Sequence, residues 1–203
     1  MGRQGPSAIV GRSGRTRIVA LASSTGGPQA LQELFAALPA NFSAPILVVQ
    51  HLAKGYLSHL VSALAPNCRI RVKLAEHFEP LARGTIYMAP DDYHLGVADR
   101  QTIELSEAPP VERFRPSATW LFSSVARHFG AAAVAVILSG RGQDGLAGLV
   151  EIRRAGGLIL AQDEKSSAVY GMPRAAVEAR LPDFVLPLPA IADRLIALSS
   201  RLP

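Results

Sequence analysis

Short apolar runs recur through this chain, I-V-A-L-A at 18–22, I-L-V-V at 46–49, A-A-A-V-A-V-I-L at 131–138 and L-I-L-A at 158–161. Each is long enough to cross a sheet and too short for a buried helix, and glycine- or proline-marked turns lead from the first three into residues with helical spacing. Runs without alternation of apolar and polar residues belong to strands covered on both faces, and strands that alternate with helices form parallel sheets. The pattern therefore predicts an α/β fold, doubly wound, with a mostly parallel sheet and helices on both faces. H-L-G-V-A and T-I-E-L-S around A-D-R-Q predict a small antiparallel hairpin beside it. With 203 residues and no internal linker, one domain over 17–203 is expected.

The formal charge of +5 is misleading until it is located. Arg3, Arg12, Arg15 and Arg17 lie in the first 17 residues, which contain no acid, and the remaining Lys and Arg nearly balance 16 Asp and Glu. This reads as a basic tail or linker over 1–16 on a neutral body, not as a nucleic-acid groove. No apolar run approaches the roughly 20 residues that span a bilayer, and the N-terminus has no apolar signal core. A single cysteine, Cys68, has no partner for a disulfide. A cytoplasmic protein without membrane insertion is the expectation.

The first run ends in S-S-T-G-G-P, a strand end that turns through Gly26 and Gly27 into a helix at Pro28. Ser24 thus falls at the carboxyl edge of a parallel sheet, where ligands bind and a helix start favours an anion. His51 ends the second strand, and Asp144 follows the run at 131–138. All carboxyl ends of a parallel sheet open on one edge, so these three side chains can meet. A hydroxyl, an imidazole and a carboxylate are the parts of a nucleophilic triad. Each also has a plainer reading: a cap at Ser24 or Asp144, a hydrogen-bonded histidine at His51. A rival reading uses G-R-G-Q-D-G at Gly140–Gly145, which is literally G-x-G-x-x-G between a strand and a helix. Asp163 and Glu164 follow at the end of the next strand, where a dinucleotide-binding module keeps its ribose acid. No His/Cys cluster has metal-ligand spacing, so neither metal nor other cofactor is expected for the triad reading.

Several stretches together, A-S-S-T-G-G-P-Q-A-L, V-V-Q-H, G-T-I-Y-M-A-P-D-D-Y-H-L, R-P-S-A-T-W-L-F, V-I-L-S-G-R-G-Q-D-G-L-A-G-L and A-Q-D-E-K-S-S-A-V-Y-G-M-P-R, resemble the catalytic domain of the chemotaxis protein-glutamate methylesterases, in order from about Arg17 to Leu198. The resemblance implies hydrolysis of glutamate methyl esters on the cytoplasmic helices of chemoreceptors, with deamidation of receptor glutamines in many members. It implies Ser24 as nucleophile, His51 as base and Asp144 as its orienting acid. Backbone N–H groups at Thr25, and at Arg141 or Gly142, become candidates for the oxyanion hole, and Arg115 and Arg141 for substrate positioning. Arg141 stands where the family commonly has Met, and Thr119 where it commonly has an acid. His94 reads as a hydrogen-bonding residue at the hairpin's base, and Tyr170 to Pro173 as a turn under the site. The family usually carries a phosphorylatable receiver domain before this one, and the residues before the first strand leave no room for it, so a receiver is expected only in a longer parent chain.

Overall fold

The computed structural model describes residues 18–199 of the chain; the tail expected at 1–16 lies outside them. Seven strands form one parallel sheet: β1 (Ile18–Ser23), β2 (Ile46–Gln50), β3 (Arg71–Leu74), β4 (Thr85–Met88), β7 (Ala133–Ile137), β8 (Leu158–Gln162) and β9 (Phe184–Leu186). Their spatial order is β3-β4-β2-β1-β7-β8-β9. Two more strands, β5 (His94–Val97) and β6 (Ile103–Ser106), pair antiparallel as the expected hairpin.

Period-two alternation in β1 builds two cores. Ile18, Ala20 and Ala22 face the hairpin and helices α3 (Ala118–Phe129), α4 (Leu146–Arg154) and α5 (Met172–Glu178), packing with Leu121, Phe122, Leu149 and Ile152. Val19 and Leu21 face α1 (Gly27–Ala37), α2 (Leu57–Leu64) and α6 (Leu188–Ser199), packing with Leu31, Leu34, Phe35 and Leu195. All six residues of β1 are buried, which is why none of its apolar positions alternates with a polar one. Burying each Leu or Ile of this kind contributes roughly 1.5–3 kcal/mol before entropy is set against it.

The chain runs outward from β1 to β2 and beyond, then returns to β7 on the other side of β1. Strand order therefore reverses at β1, which makes the crevice beyond its carboxyl end the natural ligand site of the fold. Helix α3 starts after Ser117, which, in extended backbone, is the N-cap and accepts the Trp120 N–H. Helix α6 begins at Leu188, with Pro189 tolerated in its first turn.

Candidate active site

Polar residues at the carboxyl ends of the central strands lace the crevice together. Ser23 Oγ donates to Gln50 Oε1 (2.6 Å), and Gln50 Nε2 donates to the carbonyls of Ser24 and His51 (2.9 Å each). On the other side the Ser24 N–H donates to Ser139 O (3.0 Å), and Ser139 Oγ donates to Thr25 O (2.8 Å). Ser24 is thus held from β2 and from the end of β7 before any side-chain chemistry is considered. Gly26 takes φ 80° as the N-cap of α1, a conformation open to glycine at little cost. Gly27 lies so close to Gln50 and Ser23 that a Cβ would strike both.

His51 follows β2, its N–H donating to Ser23 O (3.0 Å). Its side chain keeps 12% of its exposure, and its ring lies parallel to that of Phe114, with centroids 4.3 Å apart and planes 7° apart. Nε2 stands 3.0 Å from Asp144 Oδ2, an ion-pair distance, with the ring turned off the line of an ideal N–H···O bond. Nδ1 is buried and has no hydrogen-bond partner among the described residues.

Asp144 sits behind the imidazole and is almost fully buried. Oδ1 accepts from Ser117 Oγ (2.8 Å) and the Thr119 N–H (3.1 Å), and Oδ2 accepts from the Ala118 N–H (2.7 Å). The carboxylate therefore occupies the N-terminus of α3, where unpaired N–H groups and the helix dipole favour negative charge. Burial pushes its pKa up, but contact with His51 and the bonds from Ala118, Thr119 and Ser117 outweigh burial and hold it below the usual carboxylate range. Asp144 does cap a helix, as its plainer reading had it, but that helix is α3 and not the one its own turn begins.

Ser24, Thr25, Gln50 and His51 line one cleft of about 590 Å³, together with Lys54, Arg113, Phe114 and Arg115. Arg115 Nη1 donates to the carbonyls of Glu107 (2.8 Å) and Ala108 (3.2 Å), which anchors the guanidinium in the cleft wall. Asp92 pairs with Lys54 at the rim. The other sequence candidates lie around this cleft and not in its wall. Gly140 abuts Ser24, since a Cβ on it would come within 2.9 Å of the serine Cβ, and Arg141 follows it with an exposed side chain. Gly142, at φ 90°, lines a separate depression with Gln143, Leu146 and Arg174.

The dinucleotide reading finds no support in this turn. The Gly171 and Met172 N–H groups both donate to Gly140 O (3.0 and 2.8 Å), so the segment at Tyr170 covers the glycine-rich loop from one side. Asp163 accepts from the Ser166 N–H and hydroxyl, and Glu164 pairs with Arg174 at 3.4 Å. Both candidate ribose acids are thus engaged locally. Cys68 is half-buried, and burial pushes its thiol up, away from a reactive thiolate. Among the described residues no group of three or more His, Cys, Asp or Glu is placed to hold a metal ion.

Three contributors were not singled out by sequence. Gln50 and Ser139 carried a signal, as polar residues ending apolar strands, where a buried polar group must find a partner. Phe114 carried none, because nothing local connects it to His51.

A family model described as CheB methylesterase matches residues 19–195. The chain is 55% identical over 181 residues to protein-glutamate methylesterase/protein-glutamine glutaminase 4 of Myxococcus xanthus, covering 89% of this chain and 51% of that protein. It is 40% identical over 181 residues to protein-glutamate methylesterase/protein-glutamine glutaminase of Pyrococcus horikoshii, covering 88% and 49%. The chain thus spans about half the length of these curated relatives. The crystal structure of the Thermotoga maritima CheB methylesterase catalytic domain superposes with a TM-score of 0.87 at 36% identity, over 90% of this chain and 98% of that one.

Proposed function

The chain belongs to the CheB methylesterase family, and on that premise we propose that it is a serine esterase that removes methyl groups from glutamate methyl esters on chemoreceptors. Ser24 is the nucleophile, His51 the general base and Asp144 the group that orients it. The observation that carries this reading is the buried Asp144 carboxylate 3.0 Å from a histidine that shares its cleft with Ser24.

The ring nitrogens divide the labour. Nε2 faces the carboxylate, so the neutral imidazole keeps its proton there and presents the Nδ1 lone pair as base. Ser24 Oγ attacks the ester carbonyl and gives its proton to Nδ1; Asp144, ionised at neutral pH, stabilises the imidazolium. The tetrahedral intermediate collapses, the imidazolium returns the proton to the departing methoxide, and methanol leaves a glutamyl ester on Ser24. Water, deprotonated through the same nitrogen, hydrolyses that ester and releases the glutamate carboxyl. The backbone N–H groups of Thr25 and Arg141, which flank Ser24 in sequence and across Gly140, are the proposed oxyanion donors. Gly142 is the weaker of the three candidates, since it lines a different depression. Arg115, anchored by two carbonyls, is proposed to position the substrate; Arg141, exposed on the turn after Gly140, adds positive charge toward an acidic receptor surface.

The relatives' names pair methylesterase with glutaminase. The same acyl transfer with ammonia as leaving group would deamidate a receptor glutamine, and the cleft needs no further residue for it. The proposed partner is the helical cytoplasmic part of a methyl-accepting receptor, which places the chain in the cytoplasm; among the described residues no helix is long and apolar enough to cross a membrane. Residues 17–203 are proposed as the catalytic unit, and a receiver domain, where a longer chain carries one, as its regulator. Methanol release from methylated receptor tests the reading: it should fall at least about a thousandfold in Ser24→Ala and His51→Ala with the fold retained. Unchanged release in either variant would refute it.

A further inference from the structure

The loop between β6 and α3 holds a two-residue hairpin to which the steps above assign nothing. The Val111 N–H donates to Phe114 O (3.1 Å) and the Phe114 N–H to Val111 O (2.8 Å). The two residues between them, Glu112 and Arg113, sit at φ 48° and 76°. Two consecutive positive φ values belong to tight turns that asparagine and glycine ordinarily fill. Full side chains there carry a conformational penalty, and such strain persists where the surroundings over-determine it, often beside functional groups. What this turn delivers to the cleft is the ring of Phe114, half-buried and flat against His51.

We propose that Phe114 is a positioning residue for the hydrolytic reaction: its ring covers one face of the His51 imidazole and holds Nε2 toward Asp144 and Nδ1 toward Ser24. The inference rests on the esterase reading of the site. Asp144 fixes only one atom of the imidazole, and a ring held at one atom still swings about that contact. Nδ1 has no hydrogen-bond partner among the described residues to stop the swing. A flat apolar surface parallel to the ring, at stacking distance, removes that freedom without occupying the nitrogen that must accept the serine proton. The hairpin in turn is tied to the site from behind, since its last residues run through Arg115, bonded to Glu107 and Ala108, into Ser117, which donates to Asp144. Acid and aromatic clamp are therefore set by one continuous segment.

The test compares Phe114→Ala, which removes the ring, Phe114→Leu, which keeps apolar bulk without a flat face, and Phe114→Tyr, which keeps the face. Hydrolysis of methylated receptor and the rate at which a fluorophosphonate labels Ser24 are measured for each variant beside the unsubstituted chain. A misplaced base costs about 10- to 100-fold in kcat and in labelling rate for Ala, with KM changed less than about threefold. Leu should recover little of this, and Tyr should return to within about threefold of the starting rate. A purely structural role would instead be restored by Leu, and a purely substrate-binding role would raise KM with kcat unchanged; either result overturns the proposal. If Ser24 in the unsubstituted chain is not labelled, the esterase reading fails and the inference falls with it. Labelling at one rate in all four proteins overturns the inference alone.

Discussion

Two histidines of this molecule lie against the same helix start and lead opposite lives. His94 is fully buried, stacked on Trp120 with centroids 4.6 Å apart, and both its nitrogens are engaged: Nδ1 accepts the Ser117 N–H (3.3 Å) and Nε2 lies 3.2 Å from Pro109 O. Those two contacts require the neutral ring with its proton on Nε2, and burial pushes the pKa below the ordinary histidine value to match. His51 is stacked as closely on Phe114, yet it keeps some exposure, meets a carboxylate with one nitrogen and leaves the other, in a cleft wall, without a hydrogen-bond partner among the described residues. The same side chain is structural where every polar atom is answered, and under the proposed mechanism it is chemical where one has no partner among the described residues. Ser117 joins the two, since its N–H serves His94 and its hydroxyl serves Asp144.

The sharpest way to break this contrast is to remove each ring in turn. His51→Ala should abolish ester hydrolysis by the thousandfold or more expected of a missing base, with little change in unfolding midpoint. His94→Phe should do the reverse: it strands the Ser117 N–H and the Pro109 carbonyl, lowering stability by about 1–3 kcal/mol in urea unfolding while turnover falls less than about tenfold. Equal losses of turnover would erase the distinction. Asp144→Asn stands between the two, because the carboxylate caps α3 and, under the proposed mechanism, orients His51. It should lower kcat by about 10³- to 10⁴-fold through the wrong tautomer and cost about 1–3 kcal/mol, since an amide N–H₂ must face donors at Ala118, Thr119 or Ser117.

A subtler test uses pH. Both His94 and Asp144 have pKa values lowered by folding, so between the folded and unfolded values the unfolded chain binds more protons, and stability falls as pH falls. The loss due to His94 should set in near pH 6.5, the unfolded imidazole value, and that due to Asp144 near pH 3.9, the unfolded carboxyl value. Urea midpoints measured from pH 7.5 downward should therefore decline in two stages, and His94→Phe should remove the first stage alone. A decline that is unaltered in that variant would assign the first stage elsewhere. The smallest effect is expected at the cleft rim: Lys54→Ala breaks the exposed pair with Asp92 and should leave the thermal midpoint unchanged within error.

How much of this was legible in the chain depends on the range of the interaction. The strands at 18–22, 46–49 and 131–138 are written locally as apolar runs, and their parallel arrangement follows from the helices between them. Ser24, His51 and Asp144 were legible because each ends or follows a strand, and strand ends share an edge. The contacts that hold them there were not. Asp144 also reads locally as the cap of α4, and only packing of α3 against that turn turns its carboxylate to Ser117, Ala118 and Thr119. Phe114 reads as an ordinary loop residue, and nothing in R-F-R-P-S announces a ring laid flat on His51.

By itself the sequence determined the layered architecture and the edge on which polar side chains gather, because hydrophobic period and turn chemistry act between near neighbours. Which nitrogen of His51 meets the acid, which helix that acid caps and what covers the ring's face were decided only in three dimensions. Those are contacts of a few ångströms between segments far apart in the chain, and they exist only once the whole sheet has closed around them.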